Sequence, residues 1–143
     1  MIDYVADASV AVKWFIHEDL SDRAQRLFEL KLRKQAELWA PDLLLAEFGN
    51  VMWKYHQQGR LSKEQVQENV GDLKRLELQL VGIGDLISEA VVLALTHSRT
   101  VYDALYLALS IRLDWPFITA DQKFYSAVSS SMPQMQLLTT WGP

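Results

Sequence analysis

The chain has 143 residues, half of them hydrophobic and 22% charged, with no cysteine. That length suits one domain with a sizeable core, and the composition excludes fibrous, disordered and disulfide-stapled architectures together with thiolate metal sites and cysteine nucleophiles. A formal net charge of −4 argues against a uniformly basic surface for nucleic acid, but not against an enzyme whose acids are gathered in one metal site.

Taken in chain order, apolar periodicity alternates between short strand-like runs and longer helical ones. Residues 2–6 read as a strand that ends at Asp7. Residues 9–16 and 20–34 read as helices, the second with Ser21 near its start. Residues 37–40 form a second strand, after which Pro41 and Asp42 open a helix that runs to about Gln57 and stops at Gly59. Ser62 caps the next helix, and Gln65 three residues on completes a capping box. A third strand covers 79–83, a helix 85–97 and another helix 100–113, the last apolar almost all round. Residues 116–119 are a fourth strand, 121–128 a short helix and 136–139 a weak fifth strand. Alternation of this kind predicts an α/β fold with parallel pairing, in which ligands bind beyond the carboxyl ends of the strands. The apolar helix should lie between the sheet and other helices.

No repeat, linker or low-complexity tract divides the chain, so 1–143 is expected to be a single domain. No apolar run of about 18 residues is present, so no membrane span is expected, and no secretory signal precedes the first strand. Cytoplasmic localisation is the expectation.

Four carboxylates stand out by position. Asp7 follows the first strand and Asp121 the fourth, and each also opens a helix, where an N-cap role would account for it. Asp103 lies at the mouth of the apolar helix, three residues after Thr100, where reciprocal capping would account for it. Glu47 falls on the apolar stripe of its helix, with Leu43, Leu44 and Val51 as neighbours one turn away. A carboxylate there must pair with a lysine or arginine, protonate, or bind a cation. If the first and fourth strands are neighbours, Asp7 and Asp121 meet at one rim, and Asp103 and Glu47 can reach the same crevice. Such a cluster stays ionised only around a cation, and oxygen ligands alone select Mg²⁺ or Mn²⁺, the ions of phosphoryl chemistry.

The segments Val5-Ala6-Asp7-Ala8-Ser9-Val10, Pro41 with Glu47 and Asn50, Tyr102-Asp103-Ala104-Leu105-Tyr106-Leu107-Ala108 and Ile118-Thr119-Ala120-Asp121 resemble PIN-domain ribonucleases. In particular they resemble the toxins of the virulence-associated protein C (VapC) type from type II toxin–antitoxin systems. The resemblance runs through essentially the whole chain, in motif order and spacing. It implies a three-layer α/β/α fold with a central five-stranded parallel sheet. It implies a Mg²⁺- or Mn²⁺-dependent endoribonuclease acting on structured transfer or ribosomal RNA, a cognate antitoxin and a homodimer. By position it makes Asp7 and Asp103 the main metal ligands, with Asp121 and Glu47 completing the acidic site partly through water. Ser9 and Thr119 match small polar positions that support the pocket, and Asn50 lies beside Glu47. An antitoxin groove is implied near the first helices, where Trp14 and Phe15 lie. One departure stands out: Gln122, Lys123 and Phe124 follow Asp121 where many relatives carry a further acid.

Lys13, one turn beyond Ser9, is a candidate contact to RNA phosphate. His17, His56 and His97 lack the spacing of zinc ligands, and neither a glycine-rich phosphate loop nor a Gly-x-Ser-x-Gly elbow occurs. Two rival functions remain: a PIN-fold binding module with little or no catalysis, and a phosphotransfer protein. The latter would want paired acids after the first strand, where Asp7-Ala8-Ser9 stands instead.

Overall fold

Tyr4, Val5 and Ala6 form β1 (Tyr4–Ala6), the strand around which the others are arranged. It is followed by α1 (Ala8–Ala11), which tightens into a 3-10 turn over Val12–Trp14, and by α2 (Ser21–Leu32), β2 (Leu38–Pro41) and α3 (Leu43–Gln57). Next come α4 (Lys63–Arg75), β3 (Gln79–Val81), α5 (Ile83–His97) and α6 (Val101–Leu113). β4 (Phe117–Thr119), α7 (Gln122–Val128), a 3-10 turn over Ser129–Ser131 and β5 (Met135–Leu137) complete the order. The computed structural model describes residues 2–142.

Every pairing is parallel, in the order β3-β2-β1-β4-β5. Val5 in the central strand registers with Trp39 of β2 on one side and Phe117 of β4 on the other. A strand covered on both faces needs apolar residues on both, which is why these strands read as apolar runs and not as alternation. Val5, Ala40 and Phe117 share one cluster with Leu86 and Ala90 of α5, with Leu105 to Leu109 of α6 and with Phe124 of α7. Ala6, Leu38 and Ile118 share another with Val10, with Ala24 and Leu27 of α2, and with Leu138 and Trp141. The expected three-layer α/β/α arrangement follows directly from these two faces.

α6 is buried from Ala104 to Ser110 and packs on β1, β2, β4 and α5, as its all-round apolar surface predicts. The buried hydroxyl of its Ser110 donates to the Trp115 carbonyl at 2.7 Å. A smaller cluster of Val12, Phe48, Met52 and Leu73 ties α3 and α4 to the first 3-10 turn. The capping box of Ser62 and Gln65 is formed in full.

Several boundaries differ from the sequence expectation. The helix expected over 9–16 is α-helical only over Ala8–Ala11, then closes with i to i+3 bonds, including Phe15 N–H to the Val12 carbonyl. Trp14 is half-buried at this tightening, its indole donating to the Ala24 carbonyl at 2.9 Å. The next helix begins at Ser21, because Leu20 adopts a left-handed φ of 69° outside it, and ends at Leu32. The third strand stops at Val81 and α5 starts at Ile83, two residues earlier than expected. The cause is long-range: the Asp42 carboxylate accepts from the Ile83 N–H at 3.2 Å. The fifth strand is Met135–Leu137, starting one residue and ending two residues before the expected 136–139, since Thr140 and Trp141 already turn back onto the Leu137 carbonyl.

Candidate active site

Placing β1 beside β4 brings the turns after both strands together. Asp7 ends the first of these and caps α1, its carboxylate accepting from the Val10 N–H at 3.3 Å. Thr119 ends β4, and Asp121 two residues later caps α7, accepting from the Phe124 N–H at 3.0 Å. Both capping roles read from the sequence are therefore real, and they do not use up either carboxylate.

Asp7 is only 7% exposed. The Ser9 hydroxyl donates to its Oδ1 at 2.5 Å and the Thr119 hydroxyl to its Oδ2 at 2.6 Å. Each hydroxyl also accepts from the turn after β4: Ser9, across from it, from the Ala120 N–H at 2.9 Å, and Thr119, within it, from the Asp121 N–H at 3.1 Å. Two small polar residues thus lock Asp7 to the turn that carries Asp121. Burial nevertheless pushes the Asp7 carboxyl up to about 6, against these three hydrogen bonds and with the charge of Glu47 adding to the rise.

Glu47 projects from α3 and is half-buried, and the Tyr106 hydroxyl donates to its Oε1 at 2.6 Å. No lysine or arginine pairs with it among the described residues. Burial raises its carboxyl above the ordinary range, and the charge of Asp103 raises it further. Asp103 sits in the first turn of α6, its N–H capped by the Thr100 hydroxyl at 3.1 Å. Its carboxyl is also raised by burial, opposed by a 2.9 Å ion pair with Arg99 and reinforced by the charge of Asp121. The fields link the acids in sequence, Asp7 to Glu47, Glu47 to Asp103 and Asp103 to Asp121. Asp7 and Asp121 thus sit on adjoining turns after β1 and β4, and Glu47 and Asp103 are near enough for charge to be felt between neighbouring acids.

Two predicted residues stand apart. Asn50 is exposed on α3, and among the described residues no hydrogen bond joins it to the acids. Lys13 lines a cavity of about 340 Å³ beside Ser9, where its ammonium is already paired with Glu18 at 3.1 Å. Two residues that sequence reasoning passed over bond directly to the candidate acids, Tyr106 to Glu47 and Arg99 to Asp103. Tyr106 lies one turn after Asp103 on α6, a phenol in an otherwise apolar stretch. Arg99 lies one turn before Asp103, an i,i+4 spacing that was legible in the sequence.

The PIN domain profile matches residues 4–128. This chain belongs to the PIN-domain family. Ribonuclease VapC3 of Pyrobaculum aerophilum is 29% identical over 121 residues, covering 83% of this PIN chain and 89% of the relative. The crystal structure of PAE2754 from the same organism superimposes with a TM-score of 0.70 at 19% identity, covering 97% of this chain and 92% of that one. VapBC2 of Rickettsia felis, solved bound to a DNA fragment from its promoter, gives a TM-score of 0.61 at 20% identity, with 96% of this chain and 97% of that chain covered. At these identities the likeness to the solved structures is one of fold.

The four candidate acids of this PIN domain offer oxygen donors only, and burial is the chief cause that raises Asp7, Glu47 and Asp103, with a neighbouring acid adding to each rise. Among the described residues no group of three or more acidic or histidine side chains is placed to hold a metal ion.

Proposed function

We propose that this PIN domain is a divalent-metal-dependent endoribonuclease, the toxin of a toxin–antitoxin pair, that hydrolyses phosphodiester bonds of structured RNA. The observation that carries the reading is the gathering of four acids, Asp7, Glu47, Asp103 and Asp121, of which Asp7, Glu47 and Asp103 are raised chiefly by burial and further by a neighbouring acid. A domain that only bound RNA would gain nothing from a patch that repels phosphate. The similarity to Ribonuclease VapC3 supports an RNA substrate, and the likeness to VapBC2 supports an antitoxin partner.

Asp7 and Asp103 would hold Mg²⁺ or Mn²⁺ directly, with Glu47 and Asp121 engaging it through water. The ion, when bound, polarises the phosphodiester, lowers the pKa of a bound water and stabilises the leaving oxygen. Ser9 and Thr119 fix the two oxygens of Asp7, so its orientation is set before any ligand arrives. Tyr106 occupies Oε1 of Glu47, which leaves Oε2 to accept the proton of the attacking water. A carboxyl that burial raises above its ordinary range is a better proton acceptor for that task. Lys13 is assigned to RNA phosphate, at the cost of leaving Glu18, and Asn50 to the neighbourhood of Glu47. A homodimer belongs to the same reading: Val92 and Leu95 of α5 and Ile111 of α6 are 62%, 78% and 47% exposed, and a second copy would cover them.

The test is cleavage of total cellular RNA by purified protein with Mg²⁺, with Mn²⁺ and with EDTA, wild type beside Asp103→Asn. Discrete fragments are expected for wild type with metal, and a loss of at least about 100-fold in rate with the mutant or chelator. Absence of cleavage by a folded protein under every metal would reassign the domain to protein or RNA binding.

A further inference from the structure

Arg99 is the cation bonded to one of these four acids. Its Nη2 donates to Asp103 Oδ2 at 2.9 Å, and the two side chains are 25% and 29% exposed. Its guanidinium carbon lies 5.2 Å from the centre of the Phe124 ring, within cation–π range. Phe124 in turn belongs to α7, and its N–H is capped by Asp121. One guanidinium therefore spans from Asp103 on α6 to the helix that begins at Asp121.

The Nε of Arg99 is buried without a hydrogen-bond partner, alone among the buried side-chain polar atoms of the described residues. An arginine kept for structure normally satisfies its whole fork of donors. This one forgoes a donor while its Nη2 stays bonded to the Asp103 carboxylate. Its contribution is charge at that point, not a complete set of hydrogen bonds.

We propose that Arg99 is the resident counter-cation of the acidic site: it neutralises Asp103 in the ion-free protein and competes with the divalent ion for that carboxylate. The inference rests on the reading that these acids bind such an ion. Arg99 is then a positioning residue. Coordination of Asp103 Oδ2 by an ion requires the guanidinium to yield its bond, and the charge left nearby opposes the ion's own. The domain thus stays folded and partly neutralised without metal, at the expense of metal affinity.

The experiment measures Mn²⁺ affinity by titration calorimetry, a readout independent of cleavage. It compares wild type, Arg99→Gln, Arg99→Lys and Arg112→Gln. The last removes an equal charge from the surface pair of Arg112 with Glu89. Arg99→Gln is expected to bind Mn²⁺ about tenfold more tightly or better, because a like charge a few ångströms away is gone. Arg99→Lys should fall between it and wild type, since an ammonium keeps the charge but not the fork. Arg112→Gln should stay within about twofold, screened by distance and solvent. In EDTA, Arg99→Gln should melt at a lower temperature than wild type, and saturating Mn²⁺ should restore it. Unchanged or weaker Mn²⁺ binding by folded Arg99→Gln, beside a wild type that does bind, overturns the proposal alone. Equal tightening by Arg112→Gln also overturns it. Binding of Mn²⁺ by none of the variants overturns the divalent-ion reading, and the proposal with it. Should Arg99→Gln not fold, Arg99→Met, which keeps an apolar stem against Phe124 without the charge, takes its place with the same expected result.

Discussion

Asp7 shows how far a single residue can be moved from its ordinary chemistry by where the backbone puts it. Its carboxyl is raised from 3.8 to about 6, chiefly by burial, a preference for the neutral form worth ~3 kcal/mol. Because the folded value lies above the unfolded one, ionisation opposes folding. The cost is absent below about pH 4 and complete above about pH 6. Glu47 and Asp103 are shifted in the same direction. The ion-free protein should therefore gain stability as pH falls from 7 to 5, and Asp7→Asn should flatten most of that slope. Denaturant unfolding in EDTA across this range measures it, and parallel slopes for the two proteins would show that Asp7 is not the group responsible. At this scale the sequence was most legible for Asp7, Asp103 and Asp121, whose places beside strand ends and helix starts mark them. It was least legible for Tyr106, whose partner Glu47 is 59 residues away. For Glu47 itself the sequence reading left a lysine or arginine pair open; the cation instead stands on Asp103.

Among the elements, the strongly periodic helices match expectation closely, α3 ending at Gln57 and α6 at Leu113. Their faces and caps are local properties, which a sequence carries in full. The start of α5 is a different case. Gly82 stands at its N-cap without a side chain to serve, and Asp42, which sequence reading assigned to its own helix, reaches across to the Ile83 N–H. Asp42 consequently makes no side-chain cap for α3. Asp42→Ala should cost about 1 kcal/mol, the ordinary worth of a cap. Amide hydrogen exchange should locate the loss in the first turn of α5 and not in α3. Faster exchange confined to the first turn of α3 would return Asp42 to its local role. The same limit explains the misplaced edge of the first helix, whose closing turn is set where Trp14 meets Ala24 of α2.

For the molecule as a whole, the decisive fact is the strand order. β1 is first in the chain and central in the sheet, with β4 beside it although 112 residues separate Asp7 from Thr119 where they meet. That adjacency turns two separate helix caps into one site. The exposed side chains of α5 also acquire meaning only at this scale. Leu95 is 78% exposed and Val92 62%, on a helix whose other face packs against α6. If two copies associate through this face, Leu95→Glu should give a monomer by sedimentation equilibrium under conditions where wild type is dimeric, with the fold intact by circular dichroism. A dimer that survives the substitution would place the contact elsewhere.

The order of strands and helices, the burial of α6 and the identity of the four acids were decided by the sequence alone, because periodicity, capping and motif spacing act over a few residues. Tertiary structure alone decided which acid meets which partner: Glu47 with Tyr106, Asp103 with Arg99, Asp7 with Ser9 and Thr119. It also decided how far burial raises each carboxyl. Those outcomes depend on desolvation and on distances between residues far apart in the chain, and such quantities exist only once the sheet has assembled.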